Sequence, residues 1–138
     1  MIPRLRIHLI CLICTVAAVA SGCDATPDGM ATVTGRVTVN GQPAAAGAIT
    51  FTPSDGTSQT SGGKIVDGRY EAAAPIGVMR VMIRIPKVVG ERKLYDTPDS
   101  PIQPIMNESL PPRYNDQTEL EIEVHPGETE CSFDLSSQ

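Results

Sequence analysis

The sequence predicts an all-β fold, an antiparallel β-sandwich of about seven short strands. Apolar and polar residues alternate in several segments with the period of two that a half-buried strand requires. The chain contains 12 glycines and 12 prolines, many of them in turn-like clusters between Val, Ile and Thr. No long segment places apolar residues at helical spacing. These observations together favour short strands joined by tight turns over helices.

Each predicted strand carries one apolar face. The apolar faces comprise Val33, Gly35, Val37 and Val39; Ile49 and Phe51; Val81, Ile83 and Ile85; Leu120, Ile122 and Val124; and Cys131, Phe133 and Leu135. Asn40-Gly41 is expected to end the first strand as a turn. Asp67-Gly68 separates two further strands and suits a two-residue hairpin turn, because Asp and Gly tolerate positive φ. The two phenylalanines are expected to lie in the core.

The N-terminus is typical of an export signal. Arg4 and Arg6 precede an apolar run over residues 7–19, and small residues then lead to Cys23. The run contains His8 and is shorter than the roughly 20 apolar residues that a spanning helix needs. The segment therefore predicts a cleaved signal peptide rather than a permanent transmembrane helix.

The predicted cleavage site lies directly before Cys23. Residues 20–23 read Ala-Ser-Gly-Cys, which resembles the bacterial lipobox, where the cysteine receives a diacylglycerol before cleavage. The alternative is Ala-Val-Ala at residues 18–20, which suits ordinary signal peptidase and would release a soluble chain beginning at Ser21. The favoured organisation is a lipoprotein signal peptide over 1–22, a lipidated Cys23 with a tether over 23–31, and one domain over 32–138.

The charge of the chain beyond Cys23 argues against nucleic acid as a partner. Loss of Arg4 and Arg6 leaves nine basic residues against 16 acidic ones, a net charge of −7. Such a surface repels nucleic acid phosphates and anionic lipid headgroups. Membrane association is therefore expected to come from the acyl chains on Cys23, in which each buried methylene contributes about 0.8 kcal/mol.

Few side chains offer catalytic or metal-binding chemistry. Cys11 and Cys14 lie in the signal peptide, so Cys131 is expected to be a lone, buried, apolar thiol. His125 is the only histidine after the signal peptide, and it cannot build a triad or a multi-histidine metal site within one protomer. The sequence therefore predicts no catalytic residues, no metal and no cofactor.

An acidic stripe near the C-terminus has two interpretations. Glu119, Glu121 and Glu123 alternate along one strand and share a face. They lack the loop geometry that surrounds a calcium ion. The favoured interpretation is cross-strand pairing with arginines such as Arg80 and Arg84.

The segment from Pro86 to Thr118 is predicted to be a long proline-rich loop, because it contains six prolines and no sustained strand pattern. Arg113, Tyr114 and Asn115 place a guanidinium, an aromatic ring and an amide near its end, and they are the speculative binding residues. The alternative is that Tyr114 packs over the open edge of the sandwich while Arg113 pairs with a carboxylate. We expect any binding to depend on this segment rather than on the strand faces.

Several segments together resemble a known domain family. Residues 34–43 (Thr-Gly-Arg-Val-Thr-Val-Asn-Gly-Gln-Pro), residues 47–53 (Gly-Ala-Ile-Thr-Phe-Thr-Pro), residues 67–70 (Asp-Gly-Arg-Tyr) and residues 75–77 (Pro-Ile-Gly) are similar to the carboxypeptidase regulatory-like, or transthyretin-like, domain. When residues 110–115 are included, the sequence from about Thr32 to Leu135 resembles small lipoproteins of planctomycete bacteria. The resemblance implies a prealbumin-like or Ig-like sandwich. The domain that gives this family its name accompanies a zinc peptidase without being catalytic, so the resemblance implies a non-catalytic domain.

The leading functional prediction is a non-catalytic, membrane-anchored lipoprotein of the bacterial envelope, on its periplasmic or surface face, with a structural or protein-binding role. The first alternative is an extracytoplasmic sugar- or peptide-binding lipoprotein, although the chain has no tryptophan to stack on a sugar. The second is a transthyretin-like hydrolase. The resemblance implies that hydrolases of that fold have active sites built from histidines and arginines. His125 alone does not match such a site.

Overall fold

The computed structural model describes residues 27–57 and 59–138, and these residues form an all-β fold. The strands are β1 (Met30–Val39), β2 (Gln42–Pro43), β3 (Ala46–Pro53), β4 (Ser61–Val66), β5 (Arg69–Pro75), β6 (Gly77–Arg84), β7 (Pro86–Lys93), β8 (Ile102–Glu108), β9 (Glu121–Val124), β10 (Glu128–Glu130) and β11 (Phe133–Leu135). A 3-10 turn, Pro112–Tyr114, follows β8. In these ranges no helix is long and apolar enough to cross a membrane. The predicted signal peptide and Cys23 lie outside the described residues.

Nine of the strands form one curled sheet. Its order is β10-β1-β5-β4-β3-β6-β9, with β2 and β11 also paired to β1. The edge strands β9 and β10 are joined by only His125, Pro126 and Gly127. Because a residue spans at most about 3.6 Å, this connection holds the two edges within roughly 15 Å of each other. The sheet must therefore curl around its apolar face.

Strand β1 organises the sheet because it pairs along both of its edges. One edge pairs antiparallel with β5, from Met30 opposite Pro75 to Arg36 opposite Arg69. The other edge pairs parallel with β10 over residues 32–34 and with β11 over residues 37–39. These two parallel pairings depart from the predicted wholly antiparallel arrangement.

Gly35 lies at the junction between β10 and β11. The Cys131 backbone N–H donates to the Thr34 carbonyl at 2.8 Å, which brings the crossing chain against β1. A Cβ at position 35 would lie 1.7 Å from the Cys131 carbonyl oxygen. This close approach of two backbones requires glycine.

Both predicted turns are confirmed. Asn40 and Gly41 have φ of 52° and 78°, and Asp67 and Gly68 have φ of 50° and 73°. Positive φ at both central residues is the mark of the type I′ hairpin turn, whose twist matches the flanking strands. The second turn places Val66 opposite Arg69 and Ile65 opposite Tyr70.

The core lies on the concave face of the sheet and has an aromatic centre. Phe51 is fully buried and Phe133 nearly so, which confirms the prediction for both phenylalanines. The Tyr70 ring lies between them, with its centroid 6.3 Å from each. The Tyr70 hydroxyl donates to the Cys131 carbonyl oxygen at 2.6 Å, so its polar end is satisfied. The inward faces of β1, β3, β6 and β9 follow the predicted alternation.

The predicted strand count and boundaries need correction. The described residues contain eleven strands rather than about seven, and the additional ones are β2, β7, β8 and β10. β1 begins at Met30, and Ala31 is buried in the core, so the domain starts before the predicted boundary at residue 32. The prediction of a loop over residues 86–118 is wrong for most of its length. That segment contains the hairpin β7–β8 and the 3-10 turn.

Candidate interaction surface

The hairpin β7–β8, hereafter the ribbon, forms a two-stranded sheet of its own. It leaves the curled sheet after β6 and returns at Ser109. Its pairing runs from Pro86 opposite Glu108 to Lys93 opposite Ile102, with a bulge between Val88 and Gly90. The extra residue at the bulge is Val89, which shifts the phase of the side chains on β7.

The register assigns each side chain of the ribbon to one of two faces, because directly opposed residues share a face. Val88 is paired with Met106, Glu91 with Pro104 and Lys93 with Ile102. The apolar face is defined here by Val88, Ile102, Pro104 and Met106, and it shares its side of the ribbon with the charged residues Glu91 and Lys93. The other face carries Lys87, Arg92, Gln103, Ile105 and Asn107. A hydrogen bond of 3.0 Å from the Arg92 guanidinium to Gln103 Oε1 confirms that these two side chains share it.

The apolar face is open to solvent. Val88 is 59% exposed, Ile102 62% and Met106 52%. Ten large hydrophobic residues are exposed in the described part of the chain, and seven of them lie between residues 88 and 106: Val88, Val89, Leu94, Tyr95, Ile102, Ile105 and Met106. A concentration of exposed apolar side chains is typical of interaction sites.

A carboxylate fixes the base of the ribbon. Glu108 Oε1 accepts hydrogen bonds from the backbone N–H groups of Ile85, Ser109 and Leu110 at 3.0, 2.9 and 3.0 Å. The Ser109 hydroxyl also donates to the Ile85 carbonyl oxygen at 2.6 Å. Charge-assisted bonds of this kind are stronger than neutral ones. The ribbon therefore leaves the sheet in a defined direction.

The tip of the ribbon is also ordered by hydrogen bonds. The Tyr95 backbone N–H donates to the buried Ser100 hydroxyl at 2.8 Å, and the Leu94 N–H donates to the Pro101 carbonyl at 3.0 Å. Leu94 and Tyr95 nevertheless remain largely exposed. The tip thus extends the apolar surface of the ribbon in a fixed loop.

The outer edges of the ribbon are poorly suited to pairing with another strand. Pro104 removes one backbone donor from β8, and the bulge at Val89 interrupts the ladder of β7. Prolines and bulges are devices that protect edge strands from unwanted pairing. Binding through the apolar face is therefore favoured over addition of a third strand.

The ribbon and the start of the domain lie at opposite ends of the sheet. The base residues Ile85, Pro86 and Lys87 share a cavity of about 400 Å³ with Val39 and Asn40, at the C-terminal end of β1. Met30 lies at the other end of that strand. A ten-residue strand is about 30 Å long, which sets the distance between the chain entry and the ribbon base.

The predicted binding residues Arg113, Tyr114 and Asn115 lie after the ribbon and make internal contacts. The Arg113 guanidinium lies 4.9 Å from the centroid of the Tyr114 ring and donates to the Gln138 backbone oxygen. Tyr114 packs against the core, and its hydroxyl accepts the Ser136 N–H at 3.3 Å. This bond, with the nearby Arg113, lowers the pKa of Tyr114. A binding role for these residues stays a prediction, while the contacts favour the packing alternative.

Asn115 is a buried polar residue with a structural environment. Its side-chain oxygen accepts the Asp116 N–H at 2.7 Å, and its amide lies 3.4 Å from the Pro111 carbonyl. These bonds close the turn after Tyr114. Its side chain is 2% exposed and so is inaccessible to a partner.

The other titratable residues singled out from the sequence are dispersed. Cys131 is half-buried, and burial raises the pKa of its thiol. His125 is exposed at the connection between β9 and β10. Glu121 lies opposite Arg80 in the register of β6 and β9, but the ion pair in the described residues joins Arg84 to Asp116 at 2.5 Å rather than to the acidic stripe. Residues 27–57 and 59–138 contain no group of three or more His, Cys, Asp or Glu side chains able to hold a metal ion.

Comparison of the chain with protein-family models, with curated proteins and with solved structures found no match. The ribbon is the feature that the sequence reasoning missed. A signal for it was present, because seven large apolar residues, all exposed in the structure, fall in a segment predicted to be an irregular loop.

Proposed function

We propose that the protein is a non-catalytic, membrane-anchored lipoprotein of the bacterial envelope, whose transthyretin-like β-sandwich presents the ribbon to a protein partner. The observation that carries this proposal is the solvent-exposed apolar face formed by Val88, Ile102, Pro104 and Met106. The lipid on Cys23 supplies the anchor, and the curled sheet supplies a rigid support.

The energetics of the ribbon support a role in binding. A lone two-stranded hairpin is marginally stable in water. Burial of a large aliphatic side chain contributes about 1.5–3 kcal/mol. A partner that covered Val88, Ile102 and Met106 would therefore gain affinity and would also stabilise the ribbon.

The position of the ribbon favours a protein over the anchoring bilayer as its target. Lipidation of Cys23 would hold the membrane near Met30, whereas the ribbon base is adjacent to Val39 at the other end of β1. The few residues between Cys23 and Met30 span at most about 25 Å. The anchored domain would thus direct the ribbon away from its own membrane.

The anchor is tested by labelling cells with a clickable fatty acid. The wild-type chain is expected to carry the label, and Cys23→Ala is expected to lose it. Recovery of an unlabelled soluble chain that begins at Ser21 would contradict the lipid anchor and favour cleavage by ordinary signal peptidase.

The partner surface is tested with a matched pair of triple variants. The first variant changes Val88, Ile102 and Met106 to Ser on the ribbon. The control changes three exposed apolar residues outside the ribbon, Val66, Ile76 and Val78, to Ser. Wild type and control are expected to retain the same envelope protein after mild cross-linking.

The ribbon variant is expected to bind that protein about thirtyfold more weakly, which corresponds to the loss of one or more hot spots. Equal recovery with all three chains would show that the ribbon has no part in binding. Loss with the sheet variant alone would place the partner on the sheet instead. Circular dichroism of each variant checks that the fold is unchanged.

A further inference from the structure

Three basic side chains line one groove on the outer face of the curled sheet. Arg36 on β1, Lys64 on β4 and Arg69 on β5 line a shallow groove of about 470 Å³. They are three of the nine basic residues that follow Cys23 in a strongly acidic chain. The groove is therefore a local concentration of basic residues in a chain whose net charge is negative.

The backbone holds two of these cations against each other. Arg36 and Arg69 are directly opposite in the antiparallel pair of β1 and β5. Like charges in this position repel each other and destabilise the sheet. Within residues 27–57 and 59–138, the single ion pair closer than 4.0 Å joins Arg84 to Asp116. None of the three groove cations therefore forms an ion pair with a carboxylate. An anion between the two guanidinium groups would remove their repulsion.

Two carboxylates also line the groove and limit which anions it can attract. Glu71 lies opposite Thr34 on β5, and Glu130 lies opposite Thr34 on β10. With these two charges the groove retains a net charge of +1. A monovalent anion gains little in such a field, whereas a multivalent oxyanion contacts all three cations at once.

We propose that this groove binds a multivalent phosphate-type oxyanion in solution. The planar guanidinium groups of Arg36 and Arg69 each offer two parallel N–H donors, which match the geometry of a phosphate. Lys64 contributes a point charge from the adjacent strand. The site is independent of the ribbon and of the proposed protein partner.

The proposal is tested by titrating tripolyphosphate into the full chain in a nonionic detergent at low ionic strength, with calorimetric detection. The double variant Arg36→Gln/Arg69→Gln is expected to bind about tenfold more weakly than wild type. The control Arg80→Gln/Arg92→Gln removes the same charge from two exposed arginines outside the groove and is expected to lose much less. Glu71→Gln removes a competing carboxylate and is expected to tighten binding.

Thermal denaturation supplies a second readout. Tripolyphosphate is expected to raise the Tm of wild type and of the control, because a ligand that binds only the folded state stabilises it. It is expected to raise the Tm of Arg36→Gln/Arg69→Gln by less than that of wild type at the same concentration. Without ligand that variant is expected to be at least as stable as wild type, because it relieves the cross-strand repulsion.

Three outcomes would overturn the proposal. One is the absence of tripolyphosphate binding, and another is equal weakening in the groove and control variants. The third is perturbation of the groove by detergent micelles doped with phosphatidylglycerol but not by tripolyphosphate, which would assign the groove to a lipid surface. Binding by wild type that Arg36→Gln/Arg69→Gln weakens about tenfold and Glu71→Gln strengthens would support it.

Discussion

The curled sheet and the ribbon use the same building unit, the antiparallel hairpin, under opposite conditions. In the sheet, inward residues such as Phe51, Val81 and Ile83 are fully buried. In the ribbon, the corresponding apolar residues Val88 and Ile102 are more than half exposed. The sheet is therefore stabilised by the burial of its own side chains, while the ribbon depends on its backbone ladder and on the bonds at its base. The comparison predicts that equivalent substitutions will have very different effects in the two regions.

The largest difference is expected for truncation of a large apolar side chain. Phe51→Ala should lower the free energy of unfolding by about 3–5 kcal/mol, because it empties part of the packed core next to Tyr70. Met106→Ala should change it by less than about 0.5 kcal/mol, because that side chain is already in water. Denaturant titration of both variants measures the contrast. A loss of more than about 2 kcal/mol for Met106→Ala would mean that the ribbon packs against the sheet in solution.

The second difference concerns the polar end of the aromatic centre. Tyr70→Phe should cost about 1–3 kcal/mol, because the Cys131 carbonyl oxygen loses its 2.6 Å hydrogen bond in a partly buried site. Burial raises the pKa of Tyr70 above its ordinary value of 10. The folded chain therefore keeps this proton at a pH where the unfolded chain releases it. The stabilisation is fully present below about pH 10 and is lost as the pH rises further.

The alkaline effect can be measured by comparing wild type and Tyr70→Phe. Unfolding titrations at about pH 8 and about pH 11, one below and one above the ordinary tyrosine pKa of about 10, measure the free energy of unfolding of both chains. Wild type should lose more stability between the two pH values than Tyr70→Phe does. The raised pKa of the Cys131 thiol adds an alkaline loss of its own in both chains, and the Cys131 charge also contributes to the raised pKa of Tyr70. Parallel pH dependences in the two chains would show that the Tyr70 phenol is not protected by burial.

The two regions also differ in how well the sequence predicted them. Asn40-Gly41 and Asp67-Gly68 specify their turns locally through positive φ, and the alternation around Val81 and Ile83 reflects burial of one face. The ribbon has no buried face, so the same alternation had no reason to persist. Val89 at the bulge also breaks its phase, and Pro104 suggested a loop although an edge strand tolerates proline. Patterns that record burial do not detect a strand that remains exposed.

The candidate sites followed the same logic. The sequence placed any binding in the segment from 86 to 118, and the exposed apolar face of the ribbon lies there. It selected Arg113, Tyr114 and Asn115 because of their chemistry, whereas the structure gives their side chains internal partners. The basic groove could not be anticipated, because Arg36, Lys64 and Arg69 are brought together only by the pairing of β1, β5 and β4.

A third prediction concerns the attachment of the ribbon to the sheet. Glu108→Ala should lower stability by about 1–3 kcal/mol, because three backbone N–H groups lose a common acceptor. The loss should be concentrated in the ribbon, with faster amide hydrogen exchange over β7 and β8 than in β1. Glu108→Gln keeps an acceptor oxygen and should retain most of the protection. Uniformly faster exchange through the sheet would show that the base is part of the cooperative core.

The smallest effects are expected at the residues that follow the ribbon, where they separate packing from binding. Tyr114→Phe should cost about 0.5–1.5 kcal/mol, because it removes one hydrogen bond at a half-buried position. Arg113→Ala should cost less than about 1 kcal/mol, since its guanidinium is exposed and contributes a surface cation–π contact. If both residues only close the end of the domain, both variants should bind the ribbon partner as wild type does. A loss of binding of about thirtyfold in either variant, without a lower Tm, would instead make that residue part of the partner surface.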